Sequence, residues 1–239
     1  MNIALIPARS GSKGFPHKNI AKLGGFSLLH WSIIACLKSK LIDRVFVSTD
    51  SDEYASLAKK CGAEVPFLRP KNISQDYSTD IEFINHALNY FESNNISPEI
   101  IVHIRPTTPI RKPEVIDEAI KIFLESPKAS SLRSVHQMSE TAYKNFEIDS
   151  KKILKCVFSG NYDLDLTNGP RQKFPQTYCP NGYVDVLSTK YIKETKKLHG
   201  SNCLSFITNV ATEVDTKDDF DYLEYQLEKN PEVINLFKS

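Results

Sequence analysis

The chain opens on an apolar run, Ile3-Ala4-Leu5-Ile6, that passes without interruption into Pro7-Ala8-Arg9-Ser10-Gly11-Ser12-Lys13-Gly14-Phe15-Pro16-His17-Lys18-Asn19. A buried strand feeding a glycine-bearing loop with three cations is how open α/β sheets hold a polyphosphate at their carboxyl edge. Glycine lets backbone N–H groups approach phosphate oxygens, and Arg9, Lys13 and Lys18 supply compensating charge. Two nucleotide-binding motifs are excluded. Gly11 and Gly14 are too close for a Walker A loop and Lys13 is not followed by Ser or Thr, and no G-x-G-x-x-G occurs. From this loop alone, a solvated basic turn behind a core strand remains the alternative.

The rest of the chain bounds the answer. With 239 residues and a formal net charge of +1, it has room for one α/β domain with an inserted subdomain. It carries no charged block of the kind that binds nucleic acid, so anion binding should be local. Five scattered cysteines with no C-x-x-C spacing favour reduced, structural thiols. No stretch approaches a membrane span, and the apolar start is too short for a secretory signal. The expectation is a cytoplasmic protein with neither membrane nor nucleic-acid partners.

Strand-like and helix-like segments alternate through the first half. Strands are expected at 3–6, 44–48, 64–68 and 100–104, and helices at 27–38, 53–61, 78–92 and 114–124, the last opened by Pro113. This rhythm implies a mostly parallel, doubly wound sheet with helices on both faces. Between 126 and 176 it breaks. Short strands at 130–136 and 153–158 alternate with polar turns, and 160–174 shows no apolar periodicity. An inserted β-rich arm or lid over about 127–180 is expected, covering the site or pairing two subunits. Strands at 182–187 and 205–210 and a helix at 218–228 close the chain.

Further polar clusters fall where such sheets bind ligands. Residues 69–79, from Arg69 to Thr79, either contact a ligand or simply cap the next helix through Ser78. Arg105-Pro-Thr107-Thr108-Pro-Ile-Arg111 follows the most buried strand, and its two prolines stiffen a loop whose threonines and arginines can aim donors at an anion. Arg171 and Lys173 sit in a segment too polar to order by apolar burial, so it would order around a ligand, while Asn181-Gly182 is open to being simply a turn entering the next strand. Glu213 and Asp215, two residues apart, would project to one face of a strand and could share Mg²⁺. The open alternative is a cap for the closing helix.

These clusters match a family. The opening motif resembles the A-R-x-x-S-K-G-x-P-x-K-N signature of CMP-sialic acid synthetases and related sugar-acid cytidylyltransferases. The resemblance continues in collinear order through Val47-Ser-Thr-Asp50, Arg69-Pro70, Pro106-Thr-Thr-Pro-Ile-Arg111, Pro170-Arg-Gln-Lys-Phe-Pro-Gln176, Pro180-Asn-Gly182 and Glu213-Val-Asp-Thr216. It implies a nucleotide-diphospho-sugar transferase-like α/β fold with an inserted dimerisation arm, and a homodimer. The implied activity is CMP transfer from CTP to a nine-carbon 2-keto sugar acid, with release of pyrophosphate.

The resemblance also implies residue roles. Arg9, Lys13 and Lys18 would be catalytic cations on the triphosphate. Ala8, Ser10, Gly11, Ser12 and Asn19 would line the nucleotide, with Asp76 and Thr79 near the nucleoside. Arg105, Thr107, Thr108, Arg111, Arg171, Gln172, Gln176 and Asn181 would face the anionic sugar. Asp215, with Glu213 in place of the more usual aspartate, would bind Mg²⁺.

The chain departs from the pattern on the acceptor side. Arg105 replaces the usual glutamine, Cys179 replaces the arginine before Pro-Asn-Gly, and Asp185 acidifies an ordinarily apolar strand. The alternatives are a sugar-1-phosphate nucleotidyltransferase using another base such as GTP, and a non-catalytic nucleotide-sugar binding protein. An extra arginine at 105 would suit a phosphate or carboxylate on the acceptor.

Overall fold

A computed structural model describes residues 1–11, 14–235 and 237. Ten strands, β1 (Asn2–Pro7), β2 (Lys22–Leu23), β3 (Phe26–Ser27), β4 (Arg44–Ser48), β5 (Ile100–His103), β6 (Ser131–Gln137), β7 (Phe146–Ile148), β8 (Leu154–Cys156), β9 (Tyr178–Ser188) and β10 (Cys203–Ile207), are joined by seven α-helices. The helices are α1 (Leu28–Leu37), α2 (Asp52–Lys60), α3 (Asp80–Ser93), α4 (Pro113–Leu124), α5 (Thr189–Thr195), α6 (Lys217–Lys229) and α7 (Glu232–Asn235). Six strands form the central sheet in the order β10-β6-β9-β5-β1-β4. Only β9 runs against its neighbours, so the sheet is mostly parallel, as the alternating pattern predicts.

The sheet is covered on both faces. Ala4 and Ile6 of β1 join a core with Trp31, Ile116, Ile120, Phe220 and Leu223 under α1, α4 and α6. Ile3 and Leu5 point the other way, into a second core with Phe83, Ile84, Phe91 and Ile192 under α3 and α5. A strand that is apolar at every position, as β1 is, can lie only in such a doubly covered position.

Three expectations change. The segment 64–68 contributes a single bridge, Phe46 to Glu64, and no strand; Pro66 has no N–H to continue a ladder. The segment 205–210 pairs instead as Cys203–Ile207 along β6. The expected arm divides: 131–137 and 178–180 belong to the central sheet, while 138–177, with the small β7–β8 hairpin, stands outside it.

The Pro180-Asn-Gly run interrupts the β6–β9 ladder, whose register jumps between Arg133 and Val135. Gly182 takes φ 63° there, and a Cβ on it would lie 3.0 Å from Thr108 Oγ1 and 3.4 Å from Arg105 Cδ. Only glycine allows that bulge to press on the loop after β5.

Candidate active site

At the carboxyl ends of β1, β4 and β5, the strand-end loops enclose a cleft of about 600 Å³. Its lining includes Arg9, Gly14, Lys18, Asn19, Arg69, Gln75, Asp76, Ser78, Thr79, Asp80, Arg105, Thr107 and Asp215. This is where open α/β sheets bind ligands. Four cations face three carboxylates across it, and most are paired. Arg9 Nη1 donates to Asp76 Oδ1 at 3.0 Å, and Lys18 Nζ donates to Asp215 Oδ1 at 2.8 Å and to the Val214 carbonyl at 2.9 Å. Asn19, nearly buried, ties the loop down by donating to the Arg9 carbonyl. Ser12 and Lys13 lie outside the described residues.

Two open alternatives resolve. Asp215 is not the cap of α6: Thr216 is, with its reciprocal partner Asp219, whose carboxyl is held below its usual range by the donors of Thr216. The Asp215 carboxylate is thereby left to face the cleft. Gly14 packs against the Asp215 backbone, since a Cβ there would lie 2.7 Å from the Asp215 carbonyl oxygen. Likewise α3 is capped by Thr79 with Glu82, and Ser78 instead braces the loop by accepting from the Gln75 N–H. The cleft therefore keeps Ser78 and Thr79 on its wall with their hydroxyls already engaged.

Other expected residues lie elsewhere. Arg111 does not reach the cleft. It is 1% exposed and donates to the Tyr183, Gly182 and Arg105 carbonyls and to Ser32 Oγ, clamping the bulge of β9 to the loop after β5. Thr108 and Asn181 are also buried, Thr108 Oγ1 donating to the Asn181 carbonyl and Asn181 Nδ2 to Thr208 Oγ1. These three shape the site from beneath and cannot touch a ligand as placed. Ser10 is held by Asp50 through both its N–H and its hydroxyl, Ala8 is buried, and exposed Gly11 is outside the cleft lining.

Arg171, Gln172 and Gln176 line a separate depression of about 290 Å³ on the segment outside the sheet, with Thr141, Phe174 and Pro175. Gln176 holds Arg171 there, accepting from its Nη2 at 3.3 Å. Glu213 accepts from Thr107 Oγ1 at 2.9 Å, and 208–216 is not a strand, so the same-face spacing expected for Glu213 and Asp215 is absent. Of the two carboxylates, Asp215 alone lines the cleft.

Arg69 belongs to the loop expected either to contact a ligand or to cap the next helix, whereas Asp80 was not singled out from the sequence. Arg69, 6% exposed, is anchored to Ser48 through Nε and Nη2 and stacks over Phe83 with its guanidinium carbon 4.7 Å from the ring centroid. Burial lowers this guanidinium to about 10 despite Asp50 and Asp80, so it stays charged at neutral pH. Asp80, the first residue of α3, looks in sequence like a helix-dipole partner. In the structure it accepts from Arg105 Nη2 at 2.8 Å. Arg105 Nη1 donates in turn to Asp185 Oδ2 at 3.0 Å, a carboxylate 1% exposed in the middle of β9. Burial opposes the charge on Arg105, but the two carboxylates outweigh it and raise its pKa.

A cationic loop joined to a carboxylate at the carboxyl edge of a mostly parallel sheet places this chain among the α/β domains that bind phosphate-bearing ligands there. Residues 3–193 match the family model described as cytidylyltransferase, and the chain belongs to that family. It is 31% identical over 240 residues to the N-acylneuraminate cytidylyltransferase of Escherichia coli O18:K1:H7, covering 99% of this chain but 55% of that protein. It is 30% identical to the CMP-N,N'-diacetyllegionaminic acid synthase of Legionella pneumophila, covering 97% of this chain and 98% of the relative. Among solved structures, CMP:2-keto-3-deoxy-manno-octonic acid synthetase complexed with CTP superposes with a TM-score of 0.70 at 13% identity, covering 96% of this chain and 99% of that one. That likeness is one of fold.

Proposed function

We propose that this cleft binds CTP and a sialic-acid-like 2-keto sugar acid and transfers CMP to the anomeric hydroxyl of the acid, releasing pyrophosphate. The observation that carries this reading is the convergence of Arg9, Lys18 and Asp215 on the same cleft as Arg105, at the carboxyl ends of β1 and β5. The anomeric oxygen attacks the α-phosphorus as the bond to the bridging oxygen of the β-phosphate breaks, and the hydroxyl proton leaves to solvent. Negative charge passes to the departing pyrophosphate. Arg9 and Lys18 offset that charge by position alone, so no covalent enzyme intermediate is needed.

Among the described residues of the cleft, four cations facing three carboxylates leave less positive charge than a triphosphate brings negative charge. Mg²⁺ fits that deficit. It is commonly held by one or two carboxylates and completed by water and substrate phosphates, and Asp215, at the cleft and largely exposed, is the residue that would hold it. When bound, the ion supplies further charge neutralisation to the triphosphate. Lys18 would then move from Asp215 to the phosphates. Among the described residues no cluster of three or more His, Cys, Asp or Glu could hold a metal.

The segment 138–177 exposes Ile148, Val157 and Phe158, which support pairing with a second copy as a homodimer. No helix among the described residues is long and apolar enough to cross a membrane, and the requirement for CTP supports a cytoplasmic site of action.

The test is pyrophosphate release with CTP or GTP paired with N-acetylneuraminic acid, N,N'-diacetyllegionaminic acid or a hexosamine 1-phosphate. Release with CTP and a 2-keto acid is expected. Release only with GTP and the sugar phosphate would replace this reading, and none with any pair would favour a binding protein.

A further inference from the structure

Arg105 is the residue on the acceptor side that looks in sequence like a hook for a second anion. Its surroundings contradict that. Both terminal nitrogens are taken by carboxylates, Asp185 through Nη1 and Asp80 through Nη2. Its stem is pinned against Gly182, whose missing Cβ leaves room for Arg105 Cδ. One guanidinium between two carboxylates leaves this triad with a net negative charge. Arg133, with Nε 3.8 Å from Asp185 Oδ1, brings it near neutrality. Arg69, charged and lining the same cleft, also feels the Asp80 carboxylate, while His103 and His199 are pushed by burial toward the neutral form and add no charge at neutral pH.

The sheet itself builds this arrangement. His103, Asp185 and Arg133 are direct cross-strand partners on β5, β9 and β6, so Asp185 lies between two basic side chains in one row. Asp185 Oδ1, Arg133 Nε and His103 Nε2 are buried without a hydrogen-bond partner among the described residues. Asp185 thus has a single hydrogen-bonded partner, Arg105, and its burial fixes the direction in which the guanidinium is held. At the cleft wall the outcome is Asp80, 40% exposed, with Oδ2 on Arg105 and Oδ1 hydrogen-bonded to no described residue. The surface offered to a ligand is an acceptor oxygen beside a charge-compensated guanidinium.

The geometry points to Asp80 and Arg105 as the acceptor-reading edge of the cleft, with Asp185 as a positioning residue acting through Arg105. This edge selects a hydroxyl or acylamino group on the sugar acid and disfavours a phosphate or second carboxylate there. The inference rests on the cytidylyltransferase reading above and deepens it. A hydroxyl can donate to Asp80 and accept from the guanidinium, and an acylamino group can donate its N–H to Asp80, whereas a phosphate would meet Asp80 as a like charge.

The experiment measures pyrophosphate release from CTP with N-acetylneuraminic acid and with its 9-phosphate, alongside CTP affinity by calorimetry. Wild type should favour the unphosphorylated acid by about tenfold or more in kcat/KM. Asp80→Asn, at an exposed position, should narrow that preference several-fold while leaving CTP affinity within twofold. Asp185→Asn should do the same and raise the KM of the unphosphorylated acid by about tenfold, the effect of one lost charge-assisted hydrogen bond. If Asp185→Asn does not fold, Asp80→Asn carries the test alone. Equal use of both acids by wild type, or a preference unmoved in Asp80→Asn, would overturn the inference while leaving the cytidylyltransferase reading intact. Absence of pyrophosphate from wild type with either acid, and with the other 2-keto acids tested above, would refute that reading and this inference with it.

Discussion

Replacing Arg111 should destabilise the fold rather than weaken its grip on a sugar. The guanidinium is buried, makes no ion pair with a carboxylate among the described residues, and donates to the carbonyls of Arg105, Gly182 and Tyr183. In Arg111→Met those carbonyls lose this donor, and of the three the Arg105 carbonyl keeps a second one, the Thr108 N–H. At up to about 3 kcal/mol for each of the other two, the loss is about 6 kcal/mol. Part of it is returned. Burial holds this guanidinium at about 10 in place of 12.5, so removing the charge relieves a cost of roughly 3 kcal/mol at neutral pH. The net destabilisation is about 3 kcal/mol, which for a chain of this size lowers the unfolding midpoint by about 6–12 °C. Arg111→Lys should also be destabilised, because an ammonium cannot span carbonyls on two separate segments as the planar fork does. Scanning calorimetry measures both. A variant that melts within 2 °C of wild type but shows a raised KM for the acceptor would refute the structural role and return Arg111 to the substrate.

Lys18→Met and Asp215→Asn should each lower kcat by about 10²–10³-fold with little change in the melting curve, since both side chains border the cleft; wild-type turnover in either would remove it from the mechanism. Gly14→Ala should depress kcat/KM with folding retained, because the added methyl must push back the Asp215 carbonyl 2.7 Å away; an unaffected rate would show that the loop gives way freely. Acid should destabilise the fold through His103. Burial, with Arg105 adding to it, lowers its pKa from 6.5 to about 4. Between those values the unfolded chain binds more protons, so stability falls as pH drops from about 6.5 toward 4, by roughly 3 kcal/mol at most. Urea unfolding of wild type and His103→Gln should diverge in slope over that window, and parallel profiles would contradict the buried neutral state.

Periodicity and punctuation made most of the sheet legible. The all-apolar run at the start of the chain and the Ile100–His103 strand, both buried on two faces, carry their environment in their composition. Pairing is harder to read. Strand β9 is nearly four times the length of either strand of the outer hairpin and begins at Tyr178, across Pro180 and Gly182, because its first residues pair with the far end of β6 beyond the bulge. Nothing local to Tyr178-Cys-Pro-Asn-Gly signals a partner that lies about forty residues away. Helix α5 escaped for a related reason: Thr189–Thr195 is short and polar, and it is held by Ile192 in the second core rather than by its own propensity.

The cleft divides along the same line. Residues whose role follows from chain position, such as Arg9 and Lys18 after β1 or Arg105 and Thr107 after β5, were visible because strand ends in a parallel sheet converge. Arg111 and Arg105 are indistinguishable as types, and six residues apart they separate into a buried clamp and a cleft residue. The difference is made by what lies opposite. Carbonyls exposed by the β9 bulge capture Arg111, while Asp185, one strand over and in register with His103, captures Arg105. A carboxylate in a strand that is otherwise apolar was the one mark in the sequence of this second arrangement. An acid does not remain 1% exposed there unless a cation comes to meet it. Asp185 and Arg105 are therefore best read as one substitution made in two places, since a change to Arg105 alone leaves the buried Asp185 carboxylate with no hydrogen-bonded partner and only Arg133, 3.8 Å away, to offset its charge.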